Sequence, residues 1–310
     1  MPDSIISVDE NIFNLTNESE SIEGFEFKDS NVTIINQGDT ITDINNDTIL
    51  EFLRCPETKV FIKTFSDGSN ETKLVAHNYI SNETIEISNL GDHILAMNDL
   101  LLLAMNKRKE IKANPGAEIM SHDLIKGLNS KLLYFRYINE EIGIGEYRDY
   151  NFLNQPANVV IGPMENGIVK PIKEWQPIPG GHQNVQKHID KLIEWTNSEE
   201  FKSLDPILRA AMFHAKFIHI HPFMDGNGRT GRMLLNYLLI VSGKKPTNIA
   251  AADYDEYFKA NAEAIAHKNY DPLVNLIKKY QIAYSRELYA SVVDHHKQRQ
   301  RKINLQGRQI

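Results

Sequence analysis

The 310-residue chain has a single cysteine, Cys55, so no internal disulfide can staple it. That fits a reducing compartment. No run approaches the ~18 apolar residues of a membrane helix, so no span is assigned. The segment Met1 to Glu10 is acidic and has no apolar h-region, so no signal peptide is read and a cytoplasmic location is expected. Positive charge is scarce. The chain has 34 Lys and Arg against 41 Asp and Glu, a net charge of −7. A general nucleic-acid binder would show the opposite balance. The remaining composition, 41% hydrophobic and 24% charged, is that of a globular protein. The length suits one large core with an accessory unit, or two modest domains.

Four stretches differ in character, with bounds at 1–28, 29–90, 91–290 and 291–310. The first is polar around a short apolar centre. In the second, Val60–Phe65 and Lys73–His77 flank Asp67-Gly68-Ser69-Asn70, which predicts a hairpin. Val32–Ile35 and Thr84–Ile87 read as further short strands, making a small β-rich unit. From about residue 91 the period becomes helical and the fold class mainly α. Helices are predicted over Asp92–Lys109, Ser121–Asn139, Asn184–Asn197, Pro206–Ile220, Arg229–Ser242, Asp253–Ala266 and Pro272–Leu288. Ser121 and Asp205 are candidate N-caps, and Pro206 suits a first helical turn. Glycines and prolines break up 143–181, and Asn166-Gly167 between apolar pairs predicts a second hairpin within 157–170. The last stretch is a polar, basic tail.

The chemistry concentrates in His221-Pro222-Phe223-Met224-Asp225-Gly226-Asn227-Gly228-Arg229-Thr230-Gly231-Arg232. Glycines 226, 228 and 231 open the backbone where a helix begins, and free N–H groups there favour an anion. Arg229 and Arg232 stand three residues apart, on one helical face, as two cations for a polyphosphate. Asp225 is a hard carboxylate suited to Mg²⁺, and His221 is a base of near-neutral pKa. Other readings fit less of it. The glycines match G-x-G-x-x-G, but a helix rather than a strand precedes them. They miss a P-loop because Arg232 and Met233 stand where Lys and Ser/Thr are needed. His219, His221 and Asp225 have a spacing that permits a metal, yet that leaves the arginines unexplained. A structural corner would account for the glycines and Pro222 but not for the charges.

These twelve residues resemble the motif of Fic-domain proteins, His-Pro-Phe-x-(Asp/Glu)-Gly-Asn-Gly-Arg-x-x-Arg, at every specified position. The likeness extends through Ala211–His214 and Asn236–Leu239, and more weakly into Asp253–Asn261. It spans roughly residues 91–290 and leaves the β-rich segment outside. The resemblance implies a Fic-type helical core with a β-hairpin flap. It implies transfer of AMP from ATP to a Ser, Thr or Tyr hydroxyl, with Mg²⁺ or Mn²⁺. By resemblance, His221 is the base and Asp225 the metal ligand. Gly226, Asn227 and Gly228 cradle the α- and β-phosphates. Arg229 takes the β-phosphate, Arg232 the γ-phosphate, and Tyr254 and Asn261 the adenine. The hairpin near 157–170 is similar to a flap that aligns a segment of the target protein, whose identity the sequence leaves unknown. Ser19-Glu20-Ser21-Ile22-Glu23-Gly24 resembles the inhibitory motif (Ser/Thr)-x-x-x-Glu-(Gly/Asn), with Ser19, Glu23 and Gly24 at its specified positions. That implies an N-terminal helix setting Glu23 against Arg232. A homodimer is left open. So are a different nucleotide donor, removal of AMP from modified proteins, and a non-catalytic nucleotide-binding module. No role is given to His93, His122, His182, His188, His214, His219 or Cys55, and Arg148 is expected to be structural.

Overall fold

The computed structural model describes residues 34–35, 40–41, 58–64, 72–82, 84–86, 88–134, 143–151, 153–161, 164–165, 168–170, 176–247, 249 and 253–281. The chain divides into two compact units, Met1–Leu102 with Tyr284–Ile310, and Leu103–Ala283.

In the first unit, β1 (Ile34–Ile35), β2 (Thr40–Ile41), β3 (Thr58–Thr64), β4 (Thr72–Asn78) and β5 (Thr84–Glu86) form an antiparallel sheet in the order β2-β1-β5-β4-β3. The expected hairpin is β3–β4, with seven residue pairs from Thr58↔Asn78 to Thr64↔Thr72. In β4, Val75 and Ala76 are both shielded from water between β3 and β5. The long helix α1 (Ser88–Ala113) crosses the division in sequence and extends past the expected 92–109 at both ends.

The second unit is helical: α2 (His122–Leu133), α3 (Asn184–Asn197), α4 (Glu199–Ser203), α5 (Pro206–Ile220), α6 (Asn227–Val241), α7 (Tyr254–His267) and α8 (Asp271–Lys279). Its axis is α6, where every residue except Gly228 is buried. A helix buried nearly all round must be covered on all sides, and here α5 and α2 flank it. Both predicted caps form. Ser121 Oγ accepts from Leu124 N, and Asp205 Oδ1 accepts from Ile207 N and Leu208 N. Pro206 occupies the first turn of α5.

Four boundaries differ from expectation. α2 stops at Leu133, and 135–139 lie outside the described residues. α6 begins two residues before Arg229, because Gly226 takes a left-handed conformation and serves as its N-cap. α8 is described over Asp271–Lys279, and 282–288 of the expected helix lie outside the described residues. Gln281 bridges to Thr247, which an uninterrupted helix would prevent. The second hairpin is shorter than 157–170: β6 (Met164–Glu165) pairs with β7 (Ile168–Val169), with Glu165 opposite Ile168. The two-residue connection fits Asn166-Gly167. Asn158 to Ile161 is a stem, not a strand. No described helix is long and apolar enough to cross a membrane.

Candidate active site

α5 ends at His221, whose φ of 51° and ψ of 61° put a non-glycine residue in the left-handed region. Its N–H donates to the Phe217 carbonyl at 2.9 Å, closing the helix, and the chain turns back through Pro222. Asn227 fixes the shape of the turn. Its Oδ1 accepts from Phe223 N and its Nδ2 donates to Phe223 O, both at 2.8 Å. The side chain is therefore occupied, and only the backbone of Asn227 is left to face a phosphate. Gly226 follows at φ 76°, and an added Cβ would come within 3.0 Å of Asn129 Nδ2. Gly228, in the first turn of α6, is the one residue of that helix not fully buried.

Gly231 departs from the expected opening role. It lies inside α6, where an added Cβ would sit 2.8 Å from Ile218 Cδ1 and 3.2 Å from Phe217 Cδ1. Its missing side chain lets α5 and α6 approach closely.

Asp225 projects from the turn with 30% of its side chain exposed. Its Oδ1 accepts from Gly226 N at 2.6 Å, and Arg229 Nη2 is 3.4 Å from both carboxylate oxygens. Arg229 is buried against it. No group of three or more potential metal ligands occurs among the described residues. His219 and His221 therefore do not join Asp225 in a cluster of that kind. A partly exposed carboxylate such as that of Asp225 is a hard oxygen ligand of the kind that suits Mg²⁺ or Mn²⁺.

Arg232, one turn along α6, is nearly buried and lies 5.8 Å over the Tyr257 ring. This brings α7 to the site. Of the two residues expected at adenine, Tyr254 is 43% exposed at the start of α7, whereas Asn261 is wholly buried. Asn261 Nδ2 donates to Tyr257 O, and its Oδ1 has no hydrogen-bond partner among the described residues. Ser19, Glu23 and Gly24 lie outside the described residues.

Burial pushes the His221 imidazole down to about 3, and the Arg148 charge adds to it; the Ile218 backbone and the Asp225 carboxylate oppose this shift. The ring is thus held neutral, the form that accepts a proton.

Two residues outside the 221–232 motif carry much of this geometry. Asn129 Nδ2 donates to Asp225 O at 3.0 Å and to Thr230 Oγ1 at 3.3 Å, while its Oδ1 accepts from Gly145 N. Arg148, buried to 1% exposure, donates to four backbone carbonyls. Its neighbour Asp149 caps α3, accepting from Val185 N and Gln186 N. Arg148 is structural, as expected, though its reach goes well beyond its own segment.

Residues 119–239 match the Fic/DOC family model. Among curated proteins, one named protein adenylyltransferase fic-1 from Caenorhabditis briggsae is 28% identical over 176 residues, 54% of this chain and 34% of its own length. One named protein adenylyltransferase Fic from Drosophila mojavensis is 33% identical over 148 residues, 46% of this chain and 29% of its own length. The matched part thus spans about a third of these relatives. Among solved structures, a fragment of Fic-1 from Caenorhabditis elegans superposes with a TM-score of 0.51 at 19% identity, covering 96% of this chain and 66% of that one. At that identity the likeness concerns the fold.

Proposed function

We propose, from the match of residues 119–239 to the Fic/DOC family model, that the chain transfers AMP from ATP to a hydroxyl of a target protein. The observation that carries this reading is the single turn between α5 and α6. It presents a neutral, partly exposed imidazole, a partly exposed carboxylate and the N-terminus of a helix bearing Arg229 and Arg232. The backbone N–H groups of 226–228 and the positive end of α6 favour the α- and β-phosphates. Arg229 reaches the β-phosphate and Arg232 the γ-phosphate as charge-assisted donors. Tyr254 and Asn261, on α7, serve the adenine. Asp225 would hold Mg²⁺ or Mn²⁺, which when bound neutralises phosphate charge. The target hydroxyl oxygen attacks the α-phosphorus while its proton passes to His221. The bond from that phosphorus to the bridging oxygen breaks, and pyrophosphate leaves. A bound polyphosphate raises the basicity of the imidazole by placing negative charge near it. The target segment lies along the hairpin β6–β7 by strand addition.

The same reading includes restraint of the site by Glu23 in the segment Ser19–Gly24. A carboxylate against Arg232 would take the guanidinium that the γ-phosphate needs. The test uses the chain and its Glu23→Gly variant with α-labelled ATP and Mg²⁺. Label should appear on protein and rise in the variant. His221→Ala should abolish transfer and keep ATP binding, since the imidazole is not a phosphate ligand. Transfer by His221→Ala at the unaltered rate would remove the imidazole from the mechanism. An adduct from another nucleoside triphosphate, read by intact mass, would change the donor. Release of AMP from a modified protein would reverse the direction. No adduct from any of them would leave a nucleotide-binding module.

A further inference from the structure

We infer that Arg148 is a positioning residue that fixes the flap and the His221 base to one anchor. This rests on the proposed transfer reaction and adds to it the element that sets where the target hydroxyl meets the imidazole.

The contacts have an uncommon distribution. Arg148 Nε donates to the carbonyl of His221 itself at 2.6 Å, and Nη2 donates to Ile220 O at 3.1 Å. The other bonds go elsewhere: Nη1 to Ala157 O at 2.6 Å, and Nη2 to Ile178 O at 2.7 Å. Ala157 and Ile178 lie before and after the hairpin β6–β7. One planar guanidinium therefore holds both roots of the flap and the residue that carries the base. A rigid fork with five donors can do this, whereas an ammonium cannot span the same acceptors.

Further contacts make the three segments one block. Arg148 N donates to Pro222 O at 2.8 Å, and Ile178 N donates to His219 O at 3.3 Å. Above the root, the Gln176 side chain accepts from Ile161 N and donates to Ile161 O, closing the stem as a backbone rung would. At the root, Gly180 admits no side chain, since a Cβ would fall 2.5 Å from Ala157 O and 2.9 Å from Arg148 O. The left-handed φ of His221 gives its carbonyl a direction that a continuing helix would not, and Arg148 Nε meets it there. Arg148 touches no phosphate-cradle residue in any of these bonds, so its loss should separate alignment from nucleotide binding.

The experiment compares the full chain with Arg148→Lys and Arg148→Gln. ATP affinity is measured by calorimetry, transfer by labelled ATP, and backbone protection by hydrogen exchange. The expected result is ATP affinity within about threefold of the unaltered chain and an ATP KM likewise unchanged. The transfer kcat should fall by roughly 100-fold or more, the scale of a displaced reacting group. Exchange should accelerate together at 157–161, 176–178 and 221–223, with Lys giving at most partial rescue. Unchanged kcat, or a loss of ATP affinity in step with activity, would overturn the inference. If both variants fail to fold, the unaltered chain still provides a test. The three segments should then open as one unit across a denaturant series, and independent opening of the flap roots overturns the shared anchor. If neither the chain nor Glu23→Gly transfers AMP, the reaction reading fails, while exchange and ATP affinity still report on Arg148.

Discussion

Lowering the pH from 7 to 5 should destabilise the helical unit through His214, a residue outside the proposed chemistry. Its ring is wholly buried, with Nε2 2.8 Å from the Tyr257 hydroxyl. Burial pushes its pKa down to about 4 from 6.5; the Gly231 backbone resists and the Arg232 charge assists. Between those values the unfolded chain binds a proton that the folded chain refuses. Stability is therefore lost as pH falls through 6.5, and the loss levels off only below the folded pKa. At pH 5 the unfolded ring is nearly all protonated and the folded ring nearly all neutral, a cost of about 2 kcal/mol. His221 and the carboxylates also titrate, so the assay needs a difference. His214→Gln retains a hydrogen-bonding side chain without the titration. Urea unfolding of both proteins at pH 7 and pH 5 can be followed by intrinsic fluorescence, since Trp175 and Trp195 both fall within 103–283. The unaltered chain should lose about 2 kcal/mol more than the variant between the two conditions. Equal losses would refute a neutral, desolvated His214.

Two other substitutions probe the turn and the helix crossing. Asn227→Ala removes both bonds to Phe223 and leaves a buried N–H and C=O without them. Urea unfolding should show a loss of about 2–4 kcal/mol, and calorimetry an ATP affinity at least tenfold weaker, because the N-terminus of α6 loses its brace. Gly231→Ala drives a methyl into Ile218 Cδ1 and should cost about 1–3 kcal/mol. Trimming the contact with Ile218→Val in the same chain should recover part of that loss in a thermal melt.

Local features were well legible in the sequence. The caps at Ser121 and Asp205, the Asn184–Asn197 helix and the β3–β4 hairpin each depend on residues a few positions apart. The loop 221–232 was visible for the same reason, since base, carboxylate, glycines and arginines lie within twelve residues. Nonlocal roles left no such mark. Asn129 reaches Asp225 across 96 positions, and Arg148 reaches His221 across 73. Neither spacing has a period. Gly231 looked like part of a phosphate loop because nothing in its neighbourhood reveals Ile218 pressing against it. The Asn227 side chain has a nonfunctional task that its motif does not advertise, since both of its polar atoms brace the turn at Phe223. The end of α8 at Lys279 coincides with the bridge from Gln281 to Thr247, again a distant partner.

The acceptors chosen by Arg148 are all main-chain oxygens. A carbonyl is the same atom whatever residue carries it, so these bonds make no demand of their own on side-chain identity. The hairpin β6–β7 itself can therefore change its side chains without touching these four bonds. In the proposed reaction, the surface that meets the target is thereby separable from the bonds that place His221.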